Sequence, residues 1–548
     1  MTGLSESGID WRQVKTLLRA ALKTDMRGSS NPMNAAGNQS TKFPPIFGLL
    51  IFIGFFGLWL AFPSYMLKNP FLASGIVYTV MMVFLSITIL LEFSNLILSP
   101  DEYRIIAPLP IGSKTFFVTK LIHMLAYVNI LSSVIFLPSA VSISIANKNI
   151  LLFLSFSLGG LLAATTIGMS FVVLYTLILK IVNRETMQRV LGYAQLILIT
   201  LFYFGYFIVL RSINKESLNI IQKVDFIWLY LAPPAWFSAI ARLPAGGITA
   251  IDLYASFFAI VILLIFFRAG ISRLSLDYAQ TLSSTVAQQD QIQTKQKQGL
   301  IAKLTLAFSN YEDRAVWKLI RKQFKYDNRF KMSILTIIPL TAFYVYMGIS
   351  DGKSMSDPFT ISFGKNAGPP NFLLYMAVAI LPFMITINTS FSESYQSAWV
   401  FFTSPADRTR IVLSSARFSL YYFCLPFTIL LSFLFTWFFG YYLHALLHSL
   451  FVFVILMILI KVMVLIYPRI PFSQPYKKGQ FSTTFFMMLI TIPIAIIPMT
   501  IISTVGYFGY NGYAIYLVTA LITNFVLHVI LKRTIPRRVA KLEFSAQV

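Results

Sequence analysis

Of 548 residues, 57% are hydrophobic and only 12% charged, and the mean hydropathy is +0.73. A soluble domain of that composition could not cover its own surface with polar groups, so the chain is read as a membrane protein. The 44 Lys and Arg against 20 Asp and Glu leave a net charge of +24. These cations sit in the segments between apolar runs, which speaks for lipid headgroups rather than nucleic acid.

Residues 1–44 are polar and basic and lack the apolar core and cleavage site of a signal peptide, so the first span is expected to act as an uncleaved insertion signal. Within them Trp11, Val14, Leu17, Leu18, Ala21 and Leu22 share one helix face, opposite Arg12, Lys15, Arg19 and Lys23. Such a basic amphipathic helix lies in the membrane interface, apolar face down. A span needs roughly 20 apolar residues, and about 12 runs meet that length. They lie near 45–64, 73–97, 116–142, 150–179, 190–210, 250–267, 333–349, 371–391, 416–440, 442–466, 481–504 and 513–531. Backbone groups in lipid must be satisfied internally, so these runs are helices.

The runs divide into a first half, 45–267, and a second half, 333–531. Between them residues 268–332 form a polar cytoplasmic linker, Gln/Lys-rich around 288–295, and residues 532–548 form a basic cytoplasmic tail. The linker ends in a second amphipathic helix, with Val316, Leu319, Ile320 and Phe324 on one face and Lys318, Arg321, Lys322 and Lys325 around it. At one constant offset Val14, Leu17, Arg19, Lys23, Asp25 and Arg27 align with Val316, Leu319, Arg321, Lys325, Asp327 and Arg329, all identical. Any two interfacial helices share residue types, but the equivalent position favours duplication. The predicted fold class is an all-α polytopic membrane protein: two repeated six-helix halves, each preceded by an interfacial helix. With the N-terminus inside, roughly four in five of the Lys and Arg fall on the inner side, which places both termini in the cytoplasm of a plasma (inner) membrane protein.

Each half carries a polar, proline-bearing turn between its second and third spans. In the first, Ser99-Pro100-Asp101-Glu102-Tyr103-Arg104 runs into Ala107-Pro108-Leu109-Pro110; in the second the turn is Thr403-Ser404-Pro405-Ala406-Asp407-Arg408. A wedge of this kind is what a membrane pore needs to touch a soluble motor. The segment 211–249, with Pro233-Pro234-Ala235-Trp236, is rich enough in apolar residues for short helices dipping back into the outer leaflet. An ordered outer loop with an aromatic belt fits it equally well.

Several chemistries lack their motifs. There is no G-x-x-x-x-G-K-[ST] loop (Gly364-Lys365 lacks its flanking residues), no G-x-S-x-G and no H-E-x-x-H. The chain is therefore not read as an enzyme. His444 and His448 share a helix face at metal-ligand spacing, but Ala445 follows His444 and no third ligand is near, so they are read as polar caps and no metal is assigned. Cys424 is the one cysteine, which rules out an intrachain disulfide. Glu92 is the one acid clearly within a span and is the candidate intramembrane polar site; Asp252 stands at an outer boundary, and Lys461 is close enough to an inner end to snorkel. So few intramembrane acids argue that energy for transport comes from elsewhere.

The order of interfacial helix, two spans and a Leu-Pro-Ile turn leading into a Lys, seen in Pro108-Leu109-Pro110-Ile111-Gly112-Ser113-Lys114-Thr115-Phe116-Phe117-Val118-Thr119-Lys120, resembles the permease subunits of type-2 ABC exporters. Ala398-Trp399-Val400-Phe401-Phe402-Thr403-Ser404-Pro405-Ala406-Asp407-Arg408 occupies the same place in the second half, and Pro233, Pro234 and Trp236 resemble the family's outer segment. The resemblance implies that the turns 99–115 and 399–412 are coupling helices docking on a separate cytosolic ATPase, in two copies. The contacts would be Tyr103, Arg104, Pro108, Pro110 and Lys114 in the first half, and Trp399, Pro405, Arg408 and Arg410 in the second. ATP and Mg would bind the ATPase, this chain would hold no cofactor, and the substrate stays unassigned. Two departures stand out: the family's usual chain has one six-span unit, and the second half lacks the Pro-Pro-x-Trp element. The alternative is a secondary transporter of the major-facilitator type, which also joins two six-span halves by a cytoplasmic loop.

Overall fold

A computed structural model describes residues 9–26, 45–96, 109–181, 227–246, 248–287, 311–350, 357–361, 372–392, 395–474 and 506–542, with isolated positions within 190–201 and 494–502. All named elements among them are helices; the sole strand-like feature is a bridge between Phe391 and Gln474. The chain divides into two compact units, whose described parts are residues 9–287 and 311–542.

The first unit comprises α1 (Trp11–Met26), α2 (Pro45–Leu67), α3 (Pro70–Leu96), α4 (Ser113–Asn147), α5 (Ile150–Ile181), α6 (Pro233–Arg242) and α7 (Ala250–Ala287). Its core is made where α2, α3, α4 and α5 meet, around Tyr78, Met81, Leu85, Met124, Leu131, Phe136, Phe156 and Phe237. Small residues allow the helices to approach closely. A Cβ at Gly57 would stand 2.5 Å from the Val134 carbonyl oxygen, and one at Gly160 would stand 2.7 Å from the Phe136 ring. In lipid, where hydrocarbon gains little by leaving hydrocarbon, such contacts carry helix association.

The second unit comprises α8 (Tyr311–Tyr326), α9 (Asn328–Leu335), α10 (Ile337–Ser350), α11 (Phe372–Asn388), α12 (Arg408–Phe439), α13 (Tyr442–Ile466) and α14 (Gly509–Val539). Asp327 caps α9 by accepting from the Phe330 N–H at 2.9 Å. Inside α12 a π-helical turn spans Leu420–Cys424, just ahead of Pro426, whose ring offers no N–H to the preceding turn. The chain after α13 runs beside the chain after α11. Phe472 N donates to Thr389 O at 2.8 Å, Ser392 N to Gln474 O at 3.0 Å and Gln474 N to Ser390 O at 3.0 Å.

Seven described helices are long and apolar enough to cross a membrane: within α3, α4, α5, α7, α12, α13 and α14. Shorter apolar stretches at Ile53–Leu67, Phe330–Tyr346 and Tyr375–Asn388 coincide with three more of the predicted runs. The runs at 190–210 and 481–504 are described only at isolated positions and lie mostly outside the described residues. An all-α, multi-pass membrane protein accounts for this architecture.

Candidate functional site

The residues singled out in the first turn divide sharply. Tyr103, Arg104 and Pro108 lie outside the described residues, whereas Pro110 and Lys114 are exposed at the foot of α4. The amphipathic helix α1 packs on that foot. Gln13 Nε2 donates to the Pro110 carbonyl at 3.5 Å, and Asp10 N donates to Thr115 Oγ1 at 3.2 Å. Val14, the buried residue of the amphipathic face, faces the same contact.

The second turn is described throughout. A 3-10 helix, Tyr395–Trp399, passes into a short helix, Val400–Thr403, and Asp407 then caps α12 by accepting from the Thr409 N–H at 2.9 Å. Trp399 is 52% exposed, Val400 47% exposed, and Pro405 also faces outward. An exposed Trp beside an exposed Pro is an apolar anchor of the kind that fills a partner's pocket. The two arginines are engaged differently. Arg408 donates to the carbonyls of Phe402 at 2.9 Å and Leu542 at 3.4 Å and lies over the Phe402 ring, so it holds the turn's shape. Arg410 pairs with Glu312 of α8 at 3.4 Å, and Arg417, about two turns further along the same face, pairs with Asp313 at 3.3 Å. The amphipathic helix α8 thereby sits on the foot of α12 as α1 sits on the foot of α4.

Glu92 falls within α3, but its side chain lies outside the described positions. Pro233, Pro234 and Trp236 start α6, with the prolines at the first positions, where their missing N–H groups cost nothing. Part of this segment is helical, and Ala235, Phe237, Ser238, Ala239, Ile240 and Ala241 are buried where α6 meets α3, α5 and α7. Trp236 Nε1 donates to Tyr230 O at 2.8 Å, and its ring meets Phe258 edge-on at 4.8 Å.

Beside α6 is an acid that sequence reasoning had placed only at a boundary. Asp252, fully buried, accepts from Tyr230 Oη at 2.6 Å and from Thr249 Oγ1 at 2.8 Å and N at 3.0 Å, and faces Arg242 at 3.6 Å. Thr249 and Asp252 form a reciprocal cap on α7. Burial, and then the Asp252 carboxylate, push the Tyr230 phenol up, so it stays a neutral donor.

His444 and His448 are both drawn into contacts with residues far away in the chain. His444 bonds Asp357 through Nδ1 and lies 2.9 Å from Tyr510 Oη through Nε2, with Phe359 stacked on its ring at 4.4 Å. His448 lies 2.7 Å from Tyr507 Oη and 3.0 Å from Tyr375 Oη. Asp357, Tyr375, Tyr507 and Tyr510 carried no sequence signal; the His pair at helical spacing was the one clue. Among the described residues no group of three His, Cys, Asp or Glu side chains is placed to hold a metal ion.

In comparisons with protein families, with curated proteins and with solved structures, nothing matches this chain.

Proposed function

We propose that the chain is the membrane-spanning permease subunit of an ATP-binding-cassette exporter, a fused form in which two six-span halves build one translocation pathway. Separate ATPase subunits, with ATP and Mg bound to them, drive it through the turns 99–115 and 399–412. One observation carries the reading. In each unit a 16-residue interfacial helix packs on the foot of the long helix that follows the proline-bearing turn, α1 on α4 and α8 on α12. A force applied at either turn would therefore reach a helix lying in the membrane surface and a long apolar helix together, which is the mechanical requirement for rigid-body rocking.

Within the turns, Trp399, Pro405 and Pro110 are the exposed anchors, and Lys114 supplies charge for steering. Arg408 and Arg410 position the second turn, one through backbone carbonyls and one through Glu312. Tyr103, Arg104 and Pro108 complete the first docking turn, Glu92 supplies a polar group within α3, and the α6 segment closes the opposite end. Both termini face the cytoplasm of the plasma membrane.

The test is a pull-down of the tagged chain from native membranes in mild detergent, followed by mass spectrometry. A soluble protein with a Walker A loop, near two copies per chain, is expected. Pro110→Asp combined with Pro405→Asp should abolish that association while the chain still inserts. Wild-type association and transport by the double variant would overturn the reading. Loss of transport on adding a protonophore at constant ATP would move it to the major-facilitator alternative.

A further inference from the structure

Near the C-terminal ends of α13 and α14 the second unit gathers cations without matching acids. Lys461 of α13 donates to the backbone carbonyl of Asn524 at 3.0 Å and to its side-chain oxygen, so it is held against α14. Asn524, His528 and Lys532 follow one another at four-residue steps, along one stripe of that helix. Arg417 of α12 completes the group, and the charges of Lys461, Lys532 and Arg417 all reach the His528 ring. The sequences of α12, α13 and α14 contain no Asp or Glu. Asp313 of α8, paired with Arg417, is the one described carboxylate at this cluster. His528 and Lys532 are exposed and make no described hydrogen bond or ion pair.

Depth and surroundings say what would face them. With 1.5 Å per residue, Lys461 stands about 28 Å along α13 from its start, near the far edge of a hydrocarbon core of roughly 30 Å. On the same side of α14, toward the membrane middle, Leu521 is 47% and Phe525 67% exposed. Lys532, with no described carboxylate partner, and the incompletely matched Lys461 and Arg417 are costly beside hydrocarbon unless an anion meets them. An apolar strip that ends in a basic cluster at the interface matches one kind of occupant: an acyl chain ending in an anionic headgroup.

We propose that His528, Lys532, Lys461 and Arg417 form a binding site for the phosphate of an anionic phospholipid in the leaflet on the side of the C-terminus, its acyl chain lying along Leu521 and Phe525. The inference goes beyond the permease reading and does not depend on an ATPase partner. Each phosphate oxygen can accept from a cationic donor, which gives short charge-assisted contacts in a partly dehydrated site.

The test uses the full-length chain, purified and delipidated in detergent, titrated with dioleoyl phosphatidylglycerol, dioleoyl phosphatidylcholine or inorganic phosphate and read by native mass spectrometry and melting temperature. Phosphatidylglycerol should bind and stabilise where phosphatidylcholine and inorganic phosphate do not. His528→Gln with Lys532→Gln should weaken phosphatidylglycerol binding at least about fivefold, the scale expected for losing one interfacial cation together with an imidazole N–H donor. Both positions are exposed, so the double variant should keep the parent melting temperature in the absence of lipid. Arg533→Gln removes an equal charge from a neighbouring face and should leave binding within about twofold. Equal losses for Arg533→Gln and the double variant, no preference over phosphatidylcholine, or equal stabilisation by inorganic phosphate would each overturn the proposal.

Discussion

Arg417 Nη2 stands 3.3 Å from Asp313 Oδ1, and this pair ties the amphipathic helix α8 to the long helix α12. Its arginine is 55% exposed, so solvent screens the attraction, and such pairs contribute at most about 1 kcal/mol. Ile320 and Val316 of α8 are almost wholly buried in the same contact. Apolar packing should therefore dominate. Ile320→Ala is expected to destabilise by about 2–4 kcal/mol and Asp313→Asn by less than about 1 kcal/mol. Melting in detergent, with hydrogen exchange over 311–326, checks the order; a reversed order would make the helix an electrostatic latch.

Asp252 anchors the α6 segment by holding Tyr230, Thr249 and Arg242 at once. Asp252→Ala would strand a half-buried phenol and remove the reciprocal cap on α7, and should cost about 1–3 kcal/mol. Because burial raises the Tyr230 phenol's pKa, its contribution is complete below the unfolded value of about 10 and fades as pH rises from there through the folded value. Tyr230→Phe should flatten the fall in melting temperature above about pH 10. An unchanged slope would place the alkaline sensitivity elsewhere.

At Gly57 the obstacle to a side chain is backbone, since an added Cβ would lie 2.5 Å from the Val134 carbonyl oxygen; at Gly54 it is a Val134 methyl at 3.3 Å. Gly57→Ala should therefore destabilise by about 1–3 kcal/mol, and Gly54→Ala by clearly less. Equal melting temperatures for the two variants would contradict the close approach of α2 and α4.

Trp399 and Arg408 should separate docking from turn geometry. Trp399 is half exposed, whereas Arg408 is bound to the Phe402 and Leu542 carbonyls. Trp399→Ala should weaken ATPase capture about tenfold or more, as loss of an interface anchor does, with no change in melting temperature. Arg408→Ala should lower the melting temperature as well. The same thermal loss in both would assign Trp399 to packing.

Replacing His448 tests the buried network it forms with Tyr375 and Tyr507. Its ring joins the two hydroxyls in the interior, so His448→Phe keeps an aromatic ring, of somewhat larger volume, but strands both hydroxyls. A cost of about 2–4 kcal/mol is expected, partly recovered when Tyr375→Phe is added. Recovery failing entirely would mean that the ring is held by shape alone.

What the chain's order alone determined is what arises within a few turns of helix. Long apolar runs with basic flanks are read locally because lipid leaves the backbone no choice but helix. The amphipathic faces of 11–26 and 311–326 are visible for the same reason, since a period of 3.6 residues needs no knowledge of the partner. The prolines of the turns, and those heading α6, announce themselves similarly. Tertiary structure decided everything that depends on a distant partner. Arg408 and Arg410 looked identical as loop cations, yet one grips Leu542 and the other Glu312. His444 and His448 read as polar caps from sequence, and only the packing of 357–361 and 506–513 against α13 supplies Asp357, Tyr507 and Tyr510. Asp252 looked like a boundary residue until α6 buried it. Periodicity records which face of a helix is apolar; it does not record which neighbour will cover that face or satisfy a polar group there.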